Sequence, residues 1–411
     1  MAVTSSAQIV SVGVAGVPAG DQLAKVADAL AAAGLSTVAR VLIEDDEAAL
    51  ERALAADVAL TIVVAGPGGS TGDVVRRTLA RLAGVRLVLS ARMLAALESA
   101  ARRRDRPLPR RDDRRALLPQ GAVLWTAPDA EPAWMLEVAG RAFVVLPRGD
   151  VSEAIEAQLA GYAQARLGTR GEATRTLRVA GPGVAEVEER LADWLGPASG
   201  GGLEVTTMSA DGEVWVRLRA RGASPTAAAE ALGAAEGKIR ARLGDDCYGR
   251  DDESLERVVG RLLVERQVTV AVAESCTGGL LGHRLTGVAG SSRYFDRGVV
   301  VYSNQAKQEL LGVPADVLSA HGAVSGPCAA AMAAGVRQMS RSDCALAVTG
   351  IAGPDGGTPT KPVGTVFVGV AVGAEVTSHR FHFPGDRATI KWQAAQAALD
   401  LLRRRLLGGA R

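Results

Sequence analysis

Hydroxyls, a lysine and glycines gather in the C-terminal third of this 411-residue chain. Ala273-Glu274-Ser275-Cys276-Thr277-Gly278-Gly279 follows a strand-like apolar run, Val268 to Val272. Thr349-Gly350-Ile351-Ala352-Gly353-Pro354-Asp355-Gly356-Gly357 follows another, Cys344 to Val348. Glycine lets a backbone approach a ligand closely and turn its N–H groups inward. In open α/β sheets ligands collect beyond the carboxyl ends of strands. The two turns therefore read as two walls of one small-molecule site. The first opens a helix, whose unpaired amides could hold a phosphate or carboxylate. Asp355 sits in Pro-Asp-Gly and reads first as a turn former.

Between the turns lies Tyr302-Ser303-Asn304-Gln305-Ala306-Lys307. Of 47 basic residues, the lysines are Lys25, Lys238, Lys307, Lys361 and Lys391; all others are arginine. A base must be able to lose its proton, which arginine effectively cannot. Lys307, close to a strand end, is accordingly the candidate base, and a surface helix lysine is the plain alternative. Candidate nucleophiles are Ser275, Ser291, Ser292, Ser303 and Thr349. No G-x-S-x-G supports a Ser–His–Asp arrangement. His379 and His382 flank Phe381 on a predicted strand, and His321 precedes a glycine in a loop. A serine activated by a desolvated lysine is an alternative used by several hydrolases.

Positioning these groups requires sheets. Over residues 1–165, strand and helix patterns alternate, as in a doubly wound α/β domain. Ala7–Val14, Ser36–Leu42 and Val58–Val64 read as strands, Gln22–Ala33 and Glu47–Ala56 as helices. Residues 167–249 read as a small α+β connecting module. Its predicted strands are Thr176–Val179, Leu203–Met208 and Glu213–Leu218, its helices Val184–Leu195 and Pro225–Leu243. Residues 250–411 read as a three-layer α/β/α domain, with one strand expected at Gly298–Tyr302. Here Val363–Val372 and Glu375–Phe383, joined at Gly373, predict a hairpin and hence a mixed sheet.

Composition narrows the field. A formal charge of +2 gives no support for nucleic-acid binding. The run from Arg102 to Arg115 holds eight arginines and three aspartates, and reads as a solvated surface rather than a phosphate contact. Cys247, Cys276, Cys328 and Cys344 show neither CxxC pairing nor metal-ligand spacing, against zinc or disulfides. No membrane-spanning apolar run and no secretory signal is evident, so a soluble cytoplasmic protein is expected.

Together these segments resemble the CinA (competence/damage-inducible) family. The resemblance rests on residues 273–279 and 349–357, with Ala289-Gly-Ser-Ser292, Tyr302 to Lys307, His321-Gly-Ala-Val-Ser325, Lys361-Pro-Val-Gly-Thr-Val366 and Phe383-Pro-Gly-Asp-Arg387. It covers essentially all of 250–411. It implies a nicotinamide mononucleotide deamidase, releasing nicotinic acid mononucleotide and ammonia in pyridine nucleotide recycling. By position it implies Ser292 as nucleophile, Lys307 as base and Tyr302 as an aid to proton transfer. Ser275, Thr277, Gly278 and Gly279 would hold substrate; Thr349, Gly350 and Gly353 would line the nicotinamide or ribose end. Arg387 would be a phosphate or active-site partner. No metal or other cofactor is implied for this domain, and a homodimer is.

Residues 1–166 resemble the family's molybdopterin-binding-like domain, in some members a metal-dependent ADP-ribose pyrophosphatase. The pattern Gly-Gly-Leu-Gly-Pro-Thr-x-Asp-Asp-x-Thr is here Ala65-Gly66-Pro67-Gly68-Gly69-Ser70-Thr71-Gly72-Asp73-Val74-Val75. Val-Gly-Thr-Glu is Val12-Gly13-Val14-Ala15, and Pro147-Arg148-Gly149 replaces a Pro-Gly-rich loop. A site for a hard cation wants clustered oxygen ligands, so this domain is expected to be catalytically degenerate. A bifunctional enzyme and a non-catalytic nucleotide-binding scaffold are the alternatives.

Overall fold

The computed structural model describes residues 7–13, 22–32, 37–44, 46–65, 69–103, 105, 107–109, 113–127, 131–147, 151–167, 171–195, 202–210 and 212–408. The sequence expectations at Val14-Ala15, Gly66 to Gly68 and Arg148-Gly149 fall outside them. The chain is a mixed α/β protein that gathers into two compact units, residues 1–174 with 220–232 and residues 175–219 with 233–411.

In the first unit β1 (Ala7–Gly13), α1 (Gln22–Ala32), β2 (Thr37–Glu44), α2 (Glu47–Leu54), β3 (Leu60–Val64) and α3 (Gly69–Ala83) alternate. After them come β4 (Leu87–Leu89), α4 (Ala91–Arg103), β5 (Leu117–Pro119), β6 (Val123–Trp125), β7 (Ala133–Val138), β8 (Arg141–Leu146) and α5 (Glu153–Leu167). The main sheet runs β2-β1-β3-β8-β7-β6; its first four strands are parallel. Successive strand residues point to opposite faces. Ile9, Ile62 and Val144 therefore pack with Leu30 of α1 and Leu159 of α5, while Val10, Val63 and Val145 pack with Leu50, Leu79 and Met93 opposite. Helices on both faces make this half doubly wound.

Next come β9 (Glu172–Val179), α6 (Val184–Arg190), β10 (Leu203–Ala210), β11 (Glu213–Arg221), α7 (Pro225–Leu243) and β12 (Cys247–Arg250), with sheet order β10-β11-β9-β12. The short strand β12 was not evident from the sequence pattern.

The remaining elements are α8 (Leu255–Arg266), β13 (Val270–Glu274), α9 (Leu280–Thr286), β14 (Phe295–Val300), α10 (Asn304–Leu311), α11 (Ala315–His321) and α12 (Gly326–Ser340). Strands β15 (Cys344–Gly350), β16 (Thr365–Val372) and β17 (Glu375–His382), then α13 (Arg387–Leu407), complete the chain. The sheet runs β14-β13-β15-β16-β17, with the first three strands parallel and the last two antiparallel, so it is mixed. Val272, Leu346 and Val368 face α8, α9 and α13; Ala271, Ala345 and Ala347 face α12. The alanine face lets α12 lie very close. A β-carbon on Gly369 would stand 2.1 Å from the Ala329 carbonyl oxygen. Two details differ from expectation: His321 ends a helix rather than lying in a loop, and the strand expected at Gly298–Tyr302 begins and ends earlier, leaving Tyr302 beyond it.

Candidate functional site

The parallel strands β13 and β15 deliver both glycine-rich turns to one edge of the sheet, as a shared strand direction requires. The ends are tied together: the Ser275 N–H donates to the Val348 carbonyl at 2.9 Å and the Val301 N–H to the Glu274 carbonyl at 2.8 Å. Next to them starts α10, capped by the Ser303 hydroxyl, which accepts from the Ala306 N–H at 3.0 Å. Ser303 is thus a helix cap. One turn later the same helix turns Lys307 inward.

Lys307 is 1% exposed. Its Nζ lies 3.2 Å from Ser275 Oγ, 2.7 Å from the Val301 carbonyl oxygen and 3.3 Å from that of Tyr302. Burial pulls its pKa below the usual lysine value, although the nearby thiols of Cys328 and Cys276 act slightly in the opposite direction. A neutral amine has two N–H bonds and one lone pair. As an ammonium Lys307 donates to all three oxygens; in its neutral form the two carbonyls would keep the N–H bonds and the lone pair would face the Ser275 hydroxyl. The arrangement can move a proton from serine to lysine. Cys276, adjacent in sequence, offers no rival nucleophile: burial pushes its thiol up to about 12, so it stays protonated near neutral pH.

The helix that opens after the first turn is already capped. Glu274, buried, accepts from the Gly279 N–H at 2.9 Å, the Leu281 N–H at 3.0 Å and the Gly282 N–H at 2.7 Å. The Gly278 N–H donates to the Ser275 carbonyl. Holding a substrate anion on the glycine amides is therefore corrected: the protein's own carboxylate occupies that end of α9. Gly278 and Gly279, both with positive φ, instead shape the turn.

Thr277 is wholly buried, and its hydroxyl has no hydrogen-bond partner among the described residues. The Thr349 hydroxyl donates to the Ala323 carbonyl at 2.8 Å, tying β15 to the loop ahead of α12. Gly350 abuts the start of β16, where a β-carbon would stand 2.7 Å from Val366. Arg387, first residue of α13, donates to the Gly353 carbonyl at 2.8 Å and to the Tyr302 phenol oxygen at 3.0 Å. That bond crosses from the second glycine turn to the segment bearing Lys307. Tyr302, an exposed residue, is thereby linked through its phenol to Arg387; its backbone carbonyl is what meets Lys307.

Ser292 lies elsewhere. It sits exposed in a short turn just before β14, whereas Ser275 just follows β13. With Val270 opposite Phe295 and Glu274 opposite Val300, these are opposite ends of the sheet, roughly 16 Å of strand apart. Within one chain Ser292 and Lys307 are not brought together, so the expected Ser292–Lys307 pair gives way to Ser275–Lys307. The sequence reading also passed over Lys391. One helical turn beyond Arg387, it lies over Gly278: its Nζ is 3.7 Å from where a β-carbon on that glycine would stand. The i,i+4 spacing from Arg387 could have found it. Among the described residues, no three or more His, Cys, Asp or Glu side chains gather to hold a metal ion. No helix there is long and apolar enough to cross a membrane.

Fold and site define an α/β protein with a serine–lysine pair at the carboxyl edge of a mixed sheet. This chain belongs to the CinA family. The CinA C-terminal domain family model matches residues 252–406, and that of the damage-inducible protein CinA KH domain matches 174–249. A protein of Moorella thermoacetica named for competence-damage induction is 43% identical over 390 residues, covering 92% of each chain. A CinA-like protein of Geobacter sulfurreducens is 40% identical over 391 residues, covering 93% of this chain and 94% of its own. Among solved structures, the competence/damage inducible protein CihA from Agrobacterium tumefaciens is 41% identical. It covers 37% of this chain and 93% of its own, with a TM-score of 0.36.

Proposed function

We propose that the C-terminal domain is an amidohydrolase that converts nicotinamide mononucleotide to nicotinic acid mononucleotide and ammonia, a pyridine nucleotide recycling reaction. One observation carries the chemistry: a buried lysine amine on a serine hydroxyl, with no carboxylate paired to it among the described residues. Ser275 Oγ attacks the carboxamide carbon while its proton passes to neutral Lys307. The lysine ammonium then protonates the departing NH2, and ammonia leaves an acyl-serine. Water attacks that ester, Lys307 takes its proton and returns it to Ser275, and the carboxylate product is released. Thr277 offers its unpartnered hydroxyl to the developing oxyanion. Arg387 and Tyr302 frame the open side.

For the first unit we propose a retained fold without pyrophosphate chemistry. Asp73, on α3, is the aspartate kept from the family pattern; it is paired with Arg76 and lies 3.4 Å from Arg114. A carboxylate held by two guanidinium groups is a poor ligand for a hard cation. The test of the main reading is ammonia release from nicotinamide mononucleotide by the purified full chain. Binding without release would leave a nucleotide-binding scaffold in its place.

A further inference from the structure

The glycine turn beside Ser275 resembles an anion cradle, yet its amides are engaged. Gly278 donates to the Ser275 carbonyl, and Gly279, Leu281 and Gly282 donate to Glu274. Any anion settling here has to be held by side chains. The cations around the two turns differ in what they already hold. Lys307 has three acceptors, Arg387 has Gly353 and Tyr302, and Lys361 donates to the His321 carbonyl at 3.0 Å. Lys391, half-buried, has neither a hydrogen bond nor an ion pair among the described residues.

The local carboxylates do not answer it. Glu274 faces the three amides, and Asp386 caps α13 by accepting from the Thr389 N–H at 2.8 Å. The Lys391 side chain is partly buried and its ammonium is left without a carboxylate partner among the described residues, so it is free to take a ligand's charge. We propose that Lys391 is the phosphate-binding cation of the site. Its ligand is the phosphomonoester of a mononucleotide whose amide lies at Ser275. This depends on the nicotinamide mononucleotide reading only for the identity of the nucleotide. Gly278, held at positive φ, shapes the turn over which the ammonium lies. Gly278 is also only three residues from Ser275, at most about 10 Å of extended chain. One mononucleotide can therefore meet both. Arg387, one helical turn earlier on α13, still has N–H groups beyond the two it uses and can share the phosphate.

The inference makes Lys391 a specificity residue, separate from the proton-transferring pair. Two measurements on the purified full chain test it: calorimetric titration with inorganic phosphate, and ammonia release from nicotinamide mononucleotide and from its nucleoside, nicotinamide riboside. Lys391→Gln should weaken phosphate binding about tenfold or more, as loss of a charge-assisted contact would. It should also narrow the preference for the nucleotide over the nucleoside by about the same factor, mostly through KM, with Lys391→Arg restoring most of it. Equal phosphate binding by wild type and Lys391→Gln would overturn the proposal, as would equal loss on both substrates. If wild type releases ammonia from neither compound, the deamidase reading fails, while the phosphate titration still decides the subsite.

Discussion

Each unit of this chain carries a strand followed in sequence by a glycine-containing segment and a helix, and in each a buried cation stands out among the described residues. In the first unit it is Arg76, paired with Asp73. In the second it is Lys307, set against a serine hydroxyl and two carbonyls. Both pKa values fall on burial, yet the consequences diverge. Arginine keeps its proton at any ordinary pH, so the first site is an electrostatic clasp. Lysine can release its proton, so the second can cycle one. A glycine turn marks where a ligand could approach; the buried cation decides whether reaction can follow.

The sharpest way to break this contrast is to make the second region resemble the first. Lys307→Arg keeps the charge and much of the bulk but removes the exchangeable proton. It should lower ammonia release from nicotinamide mononucleotide about 10³-fold, as much as Lys307→Ala, within the range expected for loss of a general base. An arginine variant with near wild-type activity would mean that the lysine serves only as a charge. Next in size is the choice of serine. Ser275→Ala should cost at least about 100-fold in kcat, while Ser292→Ala should stay within about threefold. The reverse ranking would return the nucleophile to Ser292 and require another chain to bring it to Lys307.

The third test addresses the first unit. Incubated with ADP-ribose and a divalent cation, the full chain should release no AMP above background. Sustained release, abolished by Asp73→Asn, would show that the arginine clasp opens to admit a metal. A fourth, smaller effect concerns stability. Glu274→Ala leaves the amides of Gly279, Leu281 and Gly282 without their acceptor, and should destabilise the second unit by about 2–3 kcal/mol. Urea unfolding measures it. A loss below about 0.5 kcal/mol would mean that water replaces the carboxylate freely.

Much of this is legible in the sequence. The scarcity of lysine singled out Lys307, and the Gly373 hairpin announced the mixed sheet. Both are local signals. What stayed hidden depends on register or on contacts across the fold. Nothing in the spacing of Ser275 and Ser292 says that parallel pairing of β13 and β14 sends them to opposite ends. Glu274 lies ahead of the helix it caps, outside the usual cap position, so its claim on those amides could not be read from the turn. The start of β14 is hard to see in the sequence because, as an edge strand, it exposes the charged residues Asp296 and Arg297. Lys391 stood hidden in a helix whose first residue had drawn attention.

The subtlest prediction concerns pH, because the property that makes Lys307 a base should also tax the fold. Its pKa in the folded chain lies below the ordinary 10.5. Between those two values the unfolded chain binds a proton that the folded chain does not, so stability rises with pH across that window. Below the folded value both states are protonated and the full cost of burying an ammonium remains. Above 10.5 both are neutral and the cost is gone. Activity should follow the same titration, with an acid limb as neutral Lys307 disappears. Lys307→Met, similar in length but unable to ionise, should therefore remove one proton's worth of pH dependence from the urea midpoint. Its stability advantage over wild type should be greatest on the acid side and shrink as pH rises. Parallel pH curves for the two proteins would mean that Lys307 keeps its ordinary pKa, and with it the charge that Arg76 keeps in the first unit.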